Sequence, residues 1–304
     1  MLRRACVLLV LALLPAVATA ATSEPRVVAK IKVGLSPCAG AAGFGSFWET
    51  SFNSATLSRI NPKTNKVTGR VRLGAQPCGI AAGAGSLWID GYGTSTVERV
   101  DPRRLRVVRR IRVGVNVWDV AYAFGSAWAT NNYDRNVVRI DPSTNTIVAT
   151  IATGGAPTNL YATADTLWVG SNDPAGKEVF RIDPATNTST AVTVGHTAPS
   201  GIVATADAIW VAAADNRVVR IDPATNAVVA TLKVGSRPAQ GDVAPDGTIW
   251  VPNLLSNTIS IVDPATNAVA WRVKTGAGPF VVRKAFGDLW VGSFRGTDLW
   301  RFRP

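Results

Sequence analysis

From Val228 to Val234 the chain alternates, with Val228, Ala230, Leu232 and Val234 on one side and Val229, Thr231 and Lys233 on the other. A period of two belongs to a β-strand with one better-covered face. Segments of this kind recur along the chain, each preceded by three others of different character. The first is short and small, as in 80–82 (Ile-Ala-Ala), and suits a crowded axis. The second is apolar and runs into a tryptophan. The third ends in an Asn-Pro or Asp-Pro step, most clearly in the Asp-Pro-Ala-Thr-Asn of 183–187, 222–226 and 263–267. There the Asp accepts a hydrogen bond from the turn, Pro presets φ and Asn tolerates the left-handed conformation of a tight hairpin. No segment keeps apolar residues at the helical period over the ten or so positions a helix needs.

The unit is a repeat. Its tryptophan stands at 48, 88, 128, 168, 210, 250 and 290, at spacings of 40, 40, 40, 42, 40 and 40 residues, and a glycine follows in phase at 34, 74, 114, 154, 195, 235 and 276. Seven four-stranded units of this length predict an all-β, seven-bladed β-propeller. The seventh unit stops at Arg301-Phe302-Arg303-Pro304 without a fourth strand, while 26–33 is a lone strand of the fourth type. Pairing the two closes the ring and removes its open edge. Residues 21–304 are therefore expected to form one domain without a linker. Residues 1–20, with Arg3-Arg4, an apolar run from Cys6 to Val17 and Ala18-Thr19-Ala20, read as a secretory signal. The protein is expected to be exported, periplasmic or secreted, monomeric, and without a transmembrane segment in its mature part.

The run Ile-Asp-Pro-Ala-Thr-Asn-Ala-Val-Val-Ala-Thr-Leu-Lys-Val-Gly-Ser-Arg-Pro (221–238), with Trp128-Ala129-Thr130-Asn131 and Trp250-Val251-Pro252-Asn253, resembles the YVTN-repeat propellers of bacterial envelopes over the whole mature chain. That resemblance implies a propeller and, for many members, a binding or scaffold role. The Gly-x-x-Pro-x-Gly and Leu-Trp segments are also similar to the streptogramin B lyases, seven-bladed propellers that use a His between Pro and Gly as acid/base and carboxylates past the aromatic residue to hold Mg²⁺. Here the His slot holds Cys38, Cys78, Trp118, Thr158, Ser200, Ala239 and Phe280. The carboxylate slot holds Ser51, Gly91, Asn131, Ser171, Ala213, Asn253 and Ser293. No catalytic position carries over.

Charge and cysteine content adjust this picture. Without the first 20 residues and their two arginines, 30 basic residues face 20 acidic ones, a net charge of +10 that favours anionic partners. Much of the excess lies in Arg99, Arg103, Arg104, Arg106, Arg109, Arg110 and Arg112, expected on the outer rim, where charge guards an exposed edge strand or meets an anionic polymer. Cys38 and Cys78 hold the same place in adjacent repeats. They are read as a disulfide, against the alternative of two small residues filling the axis. A single histidine, His196, leaves no two-histidine metal site, and the reading assigns no metal and no cofactor.

Function is expected where the repeat breaks. The connectors between blades and the loops after the second strands share one face, and most irregularities fall there. Val117-Trp118-Asp119 replaces Pro-Cys-Gly, the loop around Asn172 gains two residues, and the connectors near His196 and Arg237 gain one each. Trp118 and Asp119, with Asn131, Asn132, Tyr133, Asn159, His196, Arg237, Gln240 and Arg283, are the candidate ligand-binding residues. Trp118 as a channel plug and Asp119 as a turn cap are the competing reading. Arg283 either binds an anion near the axis or pairs with Asp242. The sequence points to a non-catalytic module for a small ligand or an envelope protein. A lyase-like metal-dependent enzyme and a basic pore for single-stranded nucleic acid or another polyanion are the alternatives.

Overall fold

The computed structural model describes residues 24–304; the expected signal over 1–20, with Cys6, lies outside them. Seven antiparallel sheets of four strands follow one another as blades 37–72, 80–112, 117–152, 157–193, 199–233, 242–274 and 279–303. In the first six, the strands lie in chain order from the axis outward. In the seventh, the outer place is taken by Arg26–Lys32, which pairs with Asp298–Arg303 so that Arg26 lies opposite Arg303 and Lys32 opposite Asp298. The N-terminal strand thus closes the ring. Among the described residues there is no helix, hence none long and apolar enough to cross a membrane.

Blades diverge outward, so the gap between them widens and needs a large side chain. The repeat tryptophan fills it, at most 1 % exposed in every blade. Trp48, for example, packs against Ile80, Leu87 and Ile89 of the second blade. Four of the indole N–H groups donate to the carbonyl five residues earlier, at 2.9–3.1 Å, so that burial leaves the polar tip satisfied.

A third-strand arginine completes five of the wedges. Arg99, Arg139, Arg181, Arg220 and Arg301 lie 4.7–5.3 Å from the tryptophan ring of their own blade. Each reaches into the Asp-Pro or Asn-Pro turn of the next blade. Arg139 donates to the Pro184 carbonyl at 2.7 Å and to Asn187 Oδ1 at 3.2 Å. Arg301 does the same to Pro62 and Asn65 across the ring closure. Arg99, expected on the rim, therefore lies between blades, because its strand is the third and not the outermost.

Two junctions lack this clamp. Arg59 of blade one faces Leu105 where the other turns offer Asn, and Ile261 replaces the arginine of blade six. Other ties stand at the same junctions. Cys38 and Cys78 join blades one and two, their Cα atoms 5.1 Å apart. Blades six and seven are joined by Val282 N–H donating to the Gln240 carbonyl at 3.0 Å and Lys284 N–H donating to Asp242 at 2.7 Å.

Candidate ligand-binding site at the channel mouth

At the connector face each loop after the second strand is clipped to the incoming connector by at least one backbone hydrogen bond. Phe52 N–H donates to the Ser36 carbonyl, Asn132 to Asn116, Asn172 to Ala156, Leu254 to Arg237 and Phe294 to Gly278, all within 2.8–3.1 Å. The connector turns at a left-handed residue in most blades, such as Ser36, Gln76, Asn116 and Arg237 with φ between 53° and 61°. Two columns of side chains are thereby presented to the mouth. One begins the inner strand (Cys38, Cys78, Trp118, Thr158, Ser200, Ala239, Phe280); the other stands four residues past each tryptophan (Phe52, Tyr92, Asn132, Asn172, Ala214, Leu254, Phe294).

These columns make two adjoining hollows. One, of about 370 Å³, is lined by the Cys38–Cys78 pair, Phe52, Tyr92, Trp118, Phe280 and Phe294. Its rings form a continuous arc: Trp118 meets Tyr92 edge-on at 5.8 Å, Tyr92 meets Phe52 at 5.9 Å, Phe52 meets Phe294 at 5.5 Å and Phe294 meets Phe280 at 5.2 Å. The other, of about 290 Å³, is mostly polar or small, with Asn159, Asn172, Thr197 and Ser200. Trp118, Phe280, Leu254 and Arg237 line both. The mouth is thus aromatic on blades seven, one, two and three, polar on blades four and five, and carries one guanidinium at the seam.

Beneath it a buried polar layer crosses the channel. Asn159 Nδ2 and Arg283 Nη2 both donate to Gln240 Oε1, at 2.8 and 2.9 Å. Asp119 accepts the N–H of Leu160 in the neighbouring blade at 2.9 Å and that of Val120 at 2.9 Å. Burial raises the Asp119 carboxyl above its ordinary range, opposed by Arg283 and these backbone donors. Asp90 accepts the N–H groups of Cys78 and Gly79, yet burial raises it well above the usual carboxylate range. Glu49 is raised well above that range too, again by burial and against Arg283; its Oε1 has no hydrogen-bond partner among the described residues.

The candidates divide accordingly. Trp118 and Arg237 line the mouth, with Asn159 at the base of the polar side. Asp119, Gln240 and Arg283 belong to the layer below, where Arg283 donates to Gln240 and makes no ion pair with Asp242 among the described residues. Asn131 is fully buried, donating to the Val113 carbonyl and Asn136; it faces back onto the connector. Asn132 donates to the Pro157 carbonyl and Asn172. Tyr133 points outward, 70 % exposed. His196 pairs with Asp215 at 2.7 Å beside the polar hollow rather than in it. Phe52, Phe294 and Leu254 were not among the expected residues. The signal for them is the column four residues past the tryptophan, visible only when that column is read for what varies. Among the described residues no cluster of His, Cys, Asp and Glu could hold a metal ion.

A family model described as a YNCE-like beta-propeller matches residues 120–293. No curated protein matches the sequence. Among solved structures, the chain is similar to Kuenenia stuttgartiensis hydrazine synthase, with a TM-score of 0.76 and 15% identity over 90% of this chain and 97% of that one. It is also similar to the WD40 beta propeller domain of Doa1, with a TM-score of 0.79 and 12% identity over 92% of this chain and 97% of that one. At such identities the likeness concerns the fold alone.

Proposed function

The chain belongs to the YNCE-like β-propeller family, and from that premise we propose that it is an exported, non-catalytic binding module that takes a compact ligand at the channel mouth. The observation that carries the reading is the five-ring aromatic arc with Arg237 at its seam. Aromatic residues gathered into one exposed concavity leave apolar surface in contact with water. A planar apolar group seated there removes that surface, contributing about 25 cal/mol per Å². The adjoining amides and hydroxyls fix orientation, and Arg237 prefers an anionic substituent. The ligand class is an amphipathic molecule with an apolar ring and a negative or strongly accepting group.

The test uses 1-anilinonaphthalene-8-sulfonate, which has both parts. One molecule is expected to bind per chain, with affinity falling about tenfold in Trp118→Ala and in Arg237→Gln while the melting temperature stays near that of the parent. Unchanged binding in both variants refutes the site. Metal-dependent turnover of a streptogramin B ring, lost in His196→Ala, overturns the non-catalytic reading. Export is tested by the intact mass of the protein from its source: a chain beginning at or near residue 21 is expected, and a chain retaining residues 1–20 contradicts it.

A further inference from the structure

The outer wall of the ring carries a charge pattern that the mouth does not use. In blade one, Lys66, Arg70 and Arg72 point outward from the fourth strand, opposite Asn61, Ser58 and Thr56. The same three positions are Arg106, Arg110 and Arg112 in blade two and Arg26, Lys30 and Lys32 in blade seven. In blade six they are Ala268, Arg272 and Lys274. Three rows across four consecutive blades are thus cationic at every exposed site but Ala268. Blades three, four and five hold Thr146, Thr150 and Ala152, then Thr188, Ala191 and Thr193, then Ala227, Thr231 and Lys233. One cation remains there.

Edge protection does not account for the asymmetry. Every outer strand has an open edge to guard, and three blades guard theirs with Thr and Ala. Nor is the charge neutralised locally: of these cations only Lys32, with Asp298 at 3.3 Å, and Arg110, with Glu98 at 2.6 Å, have an ion-pair partner among the described residues. We propose that this wall is a docking track for a flexible linear chain of phosphate charges, laid around the outside of blades six, seven, one and two. Shape selects the occupant. Four of seven blades cover more than half of the circumference, and a planar membrane touches a convex wall only locally. Duplex nucleic acid, with a persistence length of about 50 nm, is too stiff to follow it. A single flexible chain follows the rows from blade to blade. Arginine predominates over lysine in the rows, which suits phosphate oxygens taken by two N–H groups at once. Among the exposed large apolar residues the outer strands of these blades offer Trp271 as the one aromatic ring, too little to stack successive bases. The phosphate backbone is recognised, not a base.

Calorimetric titration with inorganic polyphosphate of graded chain length tests this. Affinity is expected to rise with length, beyond the gain from the number of charges alone, until the track is covered. It is also expected to fall linearly with the logarithm of salt concentration. Arg72→Gln, Arg112→Gln and Lys274→Gln together are expected to weaken binding about tenfold. Lys177→Gln, Arg217→Gln and Lys233→Gln, which remove the same charge from blades four and five, are expected to change it less than about twofold. Melting curves for both triple variants ensure that folded proteins are compared. Equal losses in the two triples overturn the proposal. So does equal or tighter binding to phosphatidylglycerol vesicles, which makes the wall a membrane surface. Tighter binding to an oligothymidylate of equal charge overturns it as well, because bases then contribute.

Discussion

Trp118 shows how far a single residue can be read from sequence. Its break with the Pro-Cys-Gly pattern marks the mouth, yet its partners Tyr92 and Phe52 belong to other blades and to a different column of the repeat. Asn131 illustrates the converse. A polar residue at the end of a strand reads as a ligand contact, but its amide is occupied by the Val113 carbonyl and Asn136. Burial of that kind is set by the neighbouring connector and has no local signature. Glu49 was not foreseen either: it stands where other blades have Ile89, Val169, Val211 or Val291, and it is 1 % exposed. Its folded pKa lies above the ordinary value, so the folded state holds its proton more tightly than the unfolded chain. The stability this group contributes is full below its ordinary value of 4.5 and is lost as pH rises through the raised folded value. Glu49→Gln has no such loss. The difference in melting temperature, variant minus parent, should shift in favour of the variant as pH rises from 4 towards 8, an illustrative window spanning the ordinary carboxylate range and above. A difference independent of pH contradicts this assignment.

At the scale of elements, the strand–turn–strand units were legible because they are local: the Asp-Pro turn sits as its leading aspartate dictates, with Asp101 accepting the N–H groups of Arg103 and Arg104 even where Leu105 takes the place of the usual Asn. Those bonds and the Arg104 side chain hold its carboxyl at about 2. The third-strand arginine was not legible, since its function lies one repeat away. It is an inter-blade clamp that stacks on its own tryptophan and satisfies the next turn. Arg139→Met should lower stability by about 1–3 kcal/mol, because a stacked and charge-assisted contact is removed. Arg59→Met should cost less, since Arg59 lies 5.7 Å from Trp48 and among the described residues its side chain bonds only to Ser46, Leu105 having replaced the asparagine. Equal losses in denaturant titrations defeat the clamp. Of the two junctions that lack it, the one between blades one and two carries Cys38 and Cys78. Thiol counting on denatured, non-reduced protein should find no free thiol in the mature monomer. Reduction should lower stability by about 3–4 kcal/mol, as expected for a cross-link closing a loop of this length. Two free thiols, or unchanged melting on reduction, contradict the bridge.

For the whole molecule, the period and the missing last strand predicted the ring and how it closes. What the period hid is polarity: the aromatic half of the mouth and the cationic part of the wall both include blades seven, one and two, while blades four and five carry amides and hydroxyls, with Lys233 the one cation of their outer strands. A repeat is recognised by what its units share, whereas function here rests on what they do not. Closure itself is testable. Removing residues 21–33 should leave the edge Asp298–Arg303 unpaired and take away the cover over Leu299, giving aggregation or a large fall in melting temperature. A monomer with unchanged melting contradicts it. The central claim is that the mouth is a ligand site. It is tested most directly by comparing, by mass spectrometry, the small molecules that co-purify from the native source with the parent protein and with the Trp118→Ala, Arg237→Gln double variant. The account predicts at least one amphipathic species bearing an apolar ring, present with the parent and absent from an equally stable variant. The same molecules in equal amounts with both proteins would contradict it.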